Sequence, residues 1–381
     1  MGGNKRLIVV ANRLPITAVR SGKESWTLQR NSAGGLVTAL SGIKDQFEMR
    51  WVGWTGVSVP DKKGQKSLSK ALEPEGCIPV FLDDDTVDGY YNGYSNNILW
   101  PLFHHFSLPQ PHNLKTARLI ISQFTTYKKA NEMFARVVLK NYKEGDIVWI
   151  HDYHLMLLPK FLKTENNRMV IGWFLHTAFP SFQCYRALPS RKELLEAVVA
   201  ADLIGFHIDD YVNNFVETCT KLIGLERVPQ GLQDVKGKLT RVILSPIGIE
   251  PQVFFQELAT PQIPKIIKML KKESKGRKII LGVDRLDPIK GIPHKLLGFQ
   301  EFMETNRDWW DKILFFQLLV PSRTDVSLYQ ELEIEINTIF GKMCSDFSTM
   351  FTRHPILVKH KSLPFDELCA LLSYAGKYNN S

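Results

Sequence analysis

Long apolar runs are missing from this chain of 381 residues, and none approaches the ~18 residues that a membrane-crossing helix needs. Cysteine is sparse. The five residues Cys77, Cys184, Cys219, Cys344 and Cys369 are odd in number and show no CxxC spacing. That argues against a disulfide framework or a zinc ribbon and for reduced, mostly buried thiols in a reducing compartment. No GxGxxG fingerprint and no GxxxxGK[ST] loop occurs, which counts against nicotinamide enzymes and P-loop NTPases. The N-terminus shows no secretory h-region, because the short run Leu7–Ala11 is followed at once by Asn12-Arg13. Arg6 stands where a myristoylation site wants Ser or Thr. These features predict a cytoplasmic protein. Internal repeats and low-complexity segments are also lacking.

What is present is the balance of an ordinary folded protein, 44% apolar and 23% charged, with a formal net charge of +9. Much of the excess lies in one stretch: Lys265, Lys268, Lys271, Lys272, Lys275, Arg277 and Lys278 against the single acid Glu273. Such a cluster can mark a nucleic-acid or membrane-surface site. No aromatic residues interleave it for base stacking, so a solvated helix face and turn before the next strand is the better reading. The chain is accordingly expected to bind neither nucleic acid nor membrane.

Short apolar runs alternate with helix-period segments. The runs are Leu7–Ala11, Arg50–Trp54, Cys77–Leu82, Asp146–Ile150, Val170–Leu175, Leu203–Phe206, Val242–Leu244, Lys278–Val283, Ile313–Val320 and Ile356–Val358. Continuous runs of this length fit strands buried on both faces, and their alternation with helices predicts a parallel α/β protein. Leu36, Val37, Leu40 and Ile43 follow helical spacing, and Ser190-Arg191-Lys192-Glu193 reads as a capping box. The pattern pauses near Ser245–Ile249 and resumes at Lys278, which predicts domains over 1–245 and 246–381.

In an open parallel sheet, ligands bind beyond the C-terminal strand ends. Six runs end in polar groups: Asn12-Arg13, His151-Asp152-Tyr153-His154, His176, His207, Asp284-Arg285 with Lys290 close behind, and Ser322-Arg323. Several of these are cations or potential cations, which suggests a phosphate-bearing ligand. Ser32-Ala33-Gly34-Gly35 before a helix fits an anion cradle or a plain turn. The spacing of His151 and His154 is poor for a zinc site, and a structural pair or a sugar-binding carboxylate is preferred there. Asp83-Asp84-Asp85-Thr86-Val87 fits the nucleophile loop of haloacid-dehalogenase-type phosphatases, or an acidic turn. Trp51, Trp54, Tyr91, Tyr94 and Trp100 fit core packing, or sugar stacking from short loops and strand ends.

Together the motifs resemble plant-type trehalose-6-phosphate synthases. The resemblance rests on Val9-Val10-Ala11-Asn12-Arg13-Leu14-Pro15, Ser32–Leu36, Trp51-Val52-Gly53-Trp54, Tyr90–Asn96, Leu99-Trp100-Pro101, His151–Leu155, Gly282–Asp287 and Arg323–Val326, colinear from about Arg6 to about Leu372. It implies a GT-B fold of two Rossmann-like parallel-sheet domains facing a cleft, the first on the acceptor side and the second on the nucleotide-sugar side. It implies transfer of glucose from UDP-glucose to glucose-6-phosphate with retention, giving trehalose-6-phosphate and UDP, without metal or cofactor. Homo- or hetero-oligomers with other synthase chains are expected.

By motif, Arg13 and Arg323 would hold the acceptor phosphate. Tyr91, Trp100 and Asp152 would line the glucose-6-phosphate site, with Trp54 nearby. Gly35 would approach the donor pyrophosphate, His176 would contact the donor glucose, and Arg285 and Lys290 would neutralise the leaving phosphates. The catalytic set implied is thus His176, Asp152, Arg285 and Lys290.

The sequence departs from the family pattern in three places. His176-Thr177-Ala178-Phe179-Pro180 replaces a usual His-Thr-Pro-Phe-Pro, which removes a φ constraint. Gln183 stands for a usual Glu. After Leu372 the family's Asp-Gly-Met-Asn-Leu-Val loop and its ribose-binding Glu do not follow before Ser381, so an incomplete second domain is expected. A second reading is therefore a catalytically inactive truncated homologue that binds sugar phosphate in a regulatory role. The phosphatase suggested by Asp83 and Asp85 is a third.

Overall fold

The computed structural model describes residues 5–22, 24–30, 35–106, 114–321, 327–347 and 354–376. The chain divides into two compact units, Met1–Ile249 and Glu250–Ser381.

The first unit is built on a nine-stranded sheet. Seven strands run parallel: β1 (Lys5–Arg13), β4 (Phe47–Trp54), β5 (Cys77–Val80), β6 (Ile147–His151), β7 (Val170–Phe174), β8 (Leu203–Phe206) and β11 (Leu239–Leu244). Two short strands, β9 (Glu226–Val228) and β10 (Gly231–Gln233), add antiparallel at one edge. The order is β5-β4-β1-β6-β7-β8-β11-β10-β9. A hairpin of β2 (Ile16–Arg20) and β3 (Trp26–Arg30) forms a separate small sheet. Six consecutive residues of β1 are buried, as expected of a strand covered on both faces.

The order winds outward from β1 to β5, then returns to place β6 on the other flank of β1. That reversal between β1 and β6 is the topological switch point of a Rossmann-like sheet, the usual ligand crevice. Behind it, the helix Leu114–Asn141 sends the Tyr127 hydroxyl to the Tyr153 carbonyl (2.6 Å) and Asn131 Nδ2 to the His154 carbonyl (3.1 Å). These bonds fix the chain leaving β6.

Among its described residues the second unit carries three parallel strands in the order β12 (Lys278–Arg285), β13 (Ile313–Val320), β14 (Ile356–His360). Helices Ile292–Thr305 and Ser327–Asp346 contribute Ile292, Leu296, Met303, Ile336 and Met343 to one core with Ile313, Phe315 and Leu319. The basic stretch forms most of the exposed surface of helix Ile263–Ser274, then a turn with Lys275 and Gly276 at positive φ, then the start of β12. Helix Arg191–Val198 forms where the capping box predicts it, but the Ser190 hydroxyl bonds the Tyr94 hydroxyl instead of capping the helix. Glu193 pairs with Lys128 at 2.7 Å. A tertiary partner has displaced the local cap.

Candidate functional site

Three neighbouring strand ends form the heart of the site in the first unit. β1 breaks register with β4 between Val10 and Arg13, so that Arg13 comes to lie opposite Trp54. The irregularity needs the glycine at 53, where a Cβ would stand 2.8 Å from the Leu14 nitrogen and 2.9 Å from the Ala11 oxygen. The Arg13 guanidinium then lies 4.6 Å over the Trp54 ring. Gly56, at φ +83°, makes room for it, since a Cβ there would sit 2.5 Å from Arg13 Nη2. Burial of its inner side lowers the Arg13 pKa, and an arginine remains cationic at neutral pH. The cation is thus held by an aromatic face and keeps its fork of donors for a ligand.

An aromatic wall continues from Trp54. Tyr91 lies 6.0 Å from Trp54 and stacks on His154 at 5.8 Å, and His154 stacks on Tyr153 at 4.0 Å. Trp100 is 5.9 Å from Tyr153 and 3.9 Å from His104. Of the aromatic residues expected on short loops or strand ends, Trp54 ends β4 as expected, whereas Trp51 lies within that strand, Tyr91 and Tyr94 stand on a π-helical segment, Asp88–Leu99, and Trp100 opens a short helix, Trp100–Phe103. π-helical turns are rare and concentrate at functional sites. This one turns Tyr91 toward Trp54 while Tyr90 goes inward, its hydroxyl bonding Asn12 Oδ1 at 2.9 Å.

Asp152 follows β6 with φ 74° and ψ 172°. That region belongs to glycine, and a non-glycine residue in it carries about 1–3 kcal/mol of strain. The conformation is held on both sides. The Asp152 backbone N–H donates to the Phe174 carbonyl (2.7 Å), and the His176 N–H donates to Asp152 Oδ1 (3.3 Å). The carboxylate also lies 3.8 Å from His154 Nδ1.

A row of imidazoles spans the ends of β6, β7 and β8. His151 Nδ1 is 2.9 Å from His176 Nε2, and the His176 ring is 5.5 Å from His207. The Ile247 N–H donates to His207 Nδ1 at 3.3 Å, which leaves the ring proton of neutral His207 on Nε2. Burial is the main cause of the low pKa of all three. His151 is pushed well below the usual range, His207 is lowered, and His176, also repelled by His207, is lowered to about 4. The row is neutral at pH 7. The segment after His176 is anchored by Phe179, fully buried and stacked on Tyr185 at 5.1 Å, with Asn214 donating to its carbonyl at 3.1 Å. This packing fixes the loop where Ala178 replaces a proline.

In the second unit, Arg285 ends β12 and Lys290 closes a 3-10 turn, Pro288–Lys290. The fully buried Asp287 organises both. Its carboxylate accepts from the Ile289 N–H (3.3 Å) and from Tyr329 (3.4 Å), and lies 3.6 Å from Arg285 Nη2. Arg285 remains about half exposed. Elsewhere in this unit a cavity of about 980 Å³ is lined by Ile266, Met269, Leu270, Ile279 and Phe316, with Lys265 and Arg277 among its bordering residues. None of the expected site residues lines it.

The first unit therefore brings together Arg13, Trp54, Tyr91, Trp100, Asp152 and His176. Arg285 and Lys290 lie together in the second. Gly35 begins the helix Gly35–Ser41, and a Cβ there would meet no atom of the described residues within 4 Å. Ser32, Ala33, Gly34 and Arg323 lie outside the described residues. Asp83 is a helix N-cap, accepting from the Thr86 N–H at 2.7 Å and facing Lys129 at 3.4 Å, which is the acidic-turn reading of that motif. No group of His, Cys, Asp and Glu able to hold a metal ion occurs among the described residues. The five cysteines are free, and no helix among the described residues is long and apolar enough to cross a membrane. Sequence reasoning assigned no site role to His151, His154, His207 or Gly56. The strand-end positions of the histidines were a usable signal, whereas nothing in the sequence marked Gly56.

The glycosyltransferase family 20 model matches residues 5–377. Alpha,alpha-trehalose-phosphate synthase [UDP-forming] 1 of Arabidopsis thaliana is 56% identical over 367 residues, which is 96% of this chain and 38% of that protein. This chain thus spans well under half of that relative's length. Among solved structures, the trehalose-6-phosphate phosphatase N-terminal domain of Candida albicans superposes with a TM-score of 0.85 at 27% identity. It covers 98% of this chain and 77% of that one. The Burkholderia xenovorans alpha,alpha-trehalose-phosphate synthase in complex with glucose-6-phosphate superposes with a TM-score of 0.80 at 26% identity, covering 97% and 77%. The two Rossmann-like units are those of the GT-B class. The match runs over nearly the whole of this chain, which therefore belongs to glycosyltransferase family 20.

Proposed function

We propose that the chain transfers glucose from UDP-glucose to glucose-6-phosphate with retention of configuration, forming trehalose-6-phosphate and UDP. The observation that carries the reading is the guanidinium of Arg13, held over Trp54 with Tyr91 next to it, at the switch point between β1 and β6. A planar cation with an open fork suits a phosphate, and the aromatic wall suits the apolar face of a hexose. The relatives support the substrates, one named as UDP-forming and one solved with glucose-6-phosphate.

Arg13 and Arg323 take the acceptor phosphate, and Tyr91, Trp100, Asp152 and Trp54 surround the acceptor sugar. Gly35 and His176 meet the donor, and Arg285 and Lys290 receive the charge of the departing diphosphate. The first unit serves the acceptor and the second the nucleotide sugar. A retaining transfer without a protein nucleophile passes through an oxocarbenium-like state in which the leaving group departs from the face that is attacked. Rate then comes from holding both sugars in place and from cations aimed where negative charge develops. Neutral His176 hydrogen-bonds a donor-sugar oxygen without adding positive charge beside the electron-poor carbon. The reading places the reaction in the cytoplasm, in keeping with five free cysteines. It includes homo- or hetero-oligomers with other synthase chains, which native mass spectrometry tests.

The test uses the purified 381-residue chain with UDP-glucose and glucose-6-phosphate, following trehalose-6-phosphate by mass spectrometry. Product that disappears in Arg285→Ala supports the reading. No product from folded protein, with calorimetric binding of glucose-6-phosphate that Arg13→Ala abolishes, supports a sugar-phosphate-binding protein without transferase activity.

A further inference from the structure

His151 is buried almost completely (1% exposed) and is assigned no part in the transfer above, yet its Nδ1 lies 2.9 Å from His176 Nε2. Both rings are neutral, so one proton lies between these two nitrogens and the two possible arrangements are not equivalent. If His176 donates from Nε2, the remaining proton of His151 sits on its Nε2. That atom is buried and has no hydrogen-bond partner among the described residues. The Trp149 ring against this imidazole (centroids 4.8 Å apart) offers at most a weak contact. A buried N–H without an acceptor is the costlier of the two orphans, and such groups are rare in folded proteins. If His151 donates from Nδ1, its Nε2 carries only a lone pair, and the orphaned donor disappears.

We propose that His151 is a positioning residue that fixes the tautomer of His176, donating from Nδ1 to His176 Nε2 and so placing the His176 proton on Nδ1. His176 then meets its ligand as a neutral donor with one defined N–H, and cannot act as a base through either nitrogen. The neighbouring contacts hold the two flanking groups in place. His207 has its Nδ1 occupied by the Ile247 N–H, and the His176 backbone is tied to Asp152. The inference deepens the proposed transfer, because it specifies the polarity of the contact His176 makes with the donor sugar.

The direct test is independent of activity. Nitrogen-15 labelling of the histidines of the full chain, with long-range proton–nitrogen correlation at neutral pH and assignment through His176→Gln, reports which His176 nitrogen bears the proton. We expect Nδ1 protonated and Nε2 with the shift of an accepting nitrogen. A proton on Nε2, or signals averaged between the two tautomers, overturns the proposal. His151→Phe should release the constraint and give averaged His176 signals, while His151→Asn, whose amide N–H can still donate, should keep the Nδ1–H form. An unchanged His176 pattern in His151→Phe also overturns it. If the chain makes trehalose-6-phosphate, kcat should fall about tenfold in His151→Phe, with the KM for glucose-6-phosphate little changed and partial rescue in His151→Asn, as for loss of an interaction made mainly in the transition state. Equal kinetic loss in both variants with the tautomer intact refutes a positioning role. A chain with no transferase activity sinks the proposed function and leaves the tautomer test in force.

Discussion

Asp152 offers a sharp test of stored strain, because the relative stability of two substitutions should reverse its usual sign. At most positions alanine is more stabilising than glycine by about 0.5–1 kcal/mol, since glycine loses more backbone freedom on folding. At φ 74° and ψ 172°, alanine retains the steric penalty of about 1–3 kcal/mol and glycine does not. Asp152→Gly and Asp152→Ala both delete the carboxylate that accepts from the His176 N–H, so that loss cancels in the comparison. The net expectation is that the glycine variant is the more stable by about 1 kcal/mol, or roughly 2–4 °C in midpoint for a unit of this size. Six of the eight tryptophans (26, 51, 54, 100, 149 and 173) belong to the first unit, so thermal or urea unfolding followed by tryptophan fluorescence reports mainly on it. Both variants should lose glucose transfer to the sugar phosphate. An alanine variant as stable as the glycine variant, or more so, would refute the strain argument.

Other outcomes follow from the same geometry. Gly56→Ala should displace the Arg13 guanidinium and weaken calorimetric binding of glucose-6-phosphate about tenfold, approaching the effect of Arg13→Ala, because a Cβ at 56 occupies the space of Nη2. Stability should fall on acidification between about pH 6.5 and 4. His176 binds its proton more weakly folded than unfolded, so the full contribution is present above the unfolded pKa and is lost as pH falls toward about 4. That loss is on the order of 3 kcal/mol for this group, and urea midpoints of His176→Gln should show a shallower acid slope. Asp83→Ala should cost about 1 kcal/mol of stability through loss of its N-cap and leave transfer intact. Loss of transfer with stability unchanged would show that the cap reading is wrong.

The ten apolar runs found along the sequence all became strands of the two sheets. Burial on both faces explains the runs of β1 and β13, which are buried almost throughout, but not those of β11, β12 and β14, where Leu244, Ile280 and Leu357 are exposed and the expected double burial is not found. The hairpin Ile16–Arg30 and the antiparallel edge strands β9 and β10 were not legible, being short and mixed in polarity. Ser190 shows the limit of a local motif, since its hydroxyl serves Tyr94, 96 residues distant in sequence. The strand ends carried the candidate site for a similar topological reason: any polar residue leaving a parallel strand reaches the same rim.

The sequence by itself determined the alternation of strand and helix, the residues delivered to the strand ends, and the motif order shared with the family. Those properties are one-dimensional, set by hydrophobic period and by residue identity. Tertiary structure decided which strand ends meet. Placing β6 beside β1 set the strand ends that carry Asp152 and Arg13 on neighbouring strands at the switch point, and pairing β6 with β7 joined His151 to His176. It also decided what each group became: a strained aspartate, a guanidinium held over indole, and imidazoles kept neutral by burial. Those properties depend on solvent exclusion and on distances between residues far apart in the chain, which no local pattern encodes.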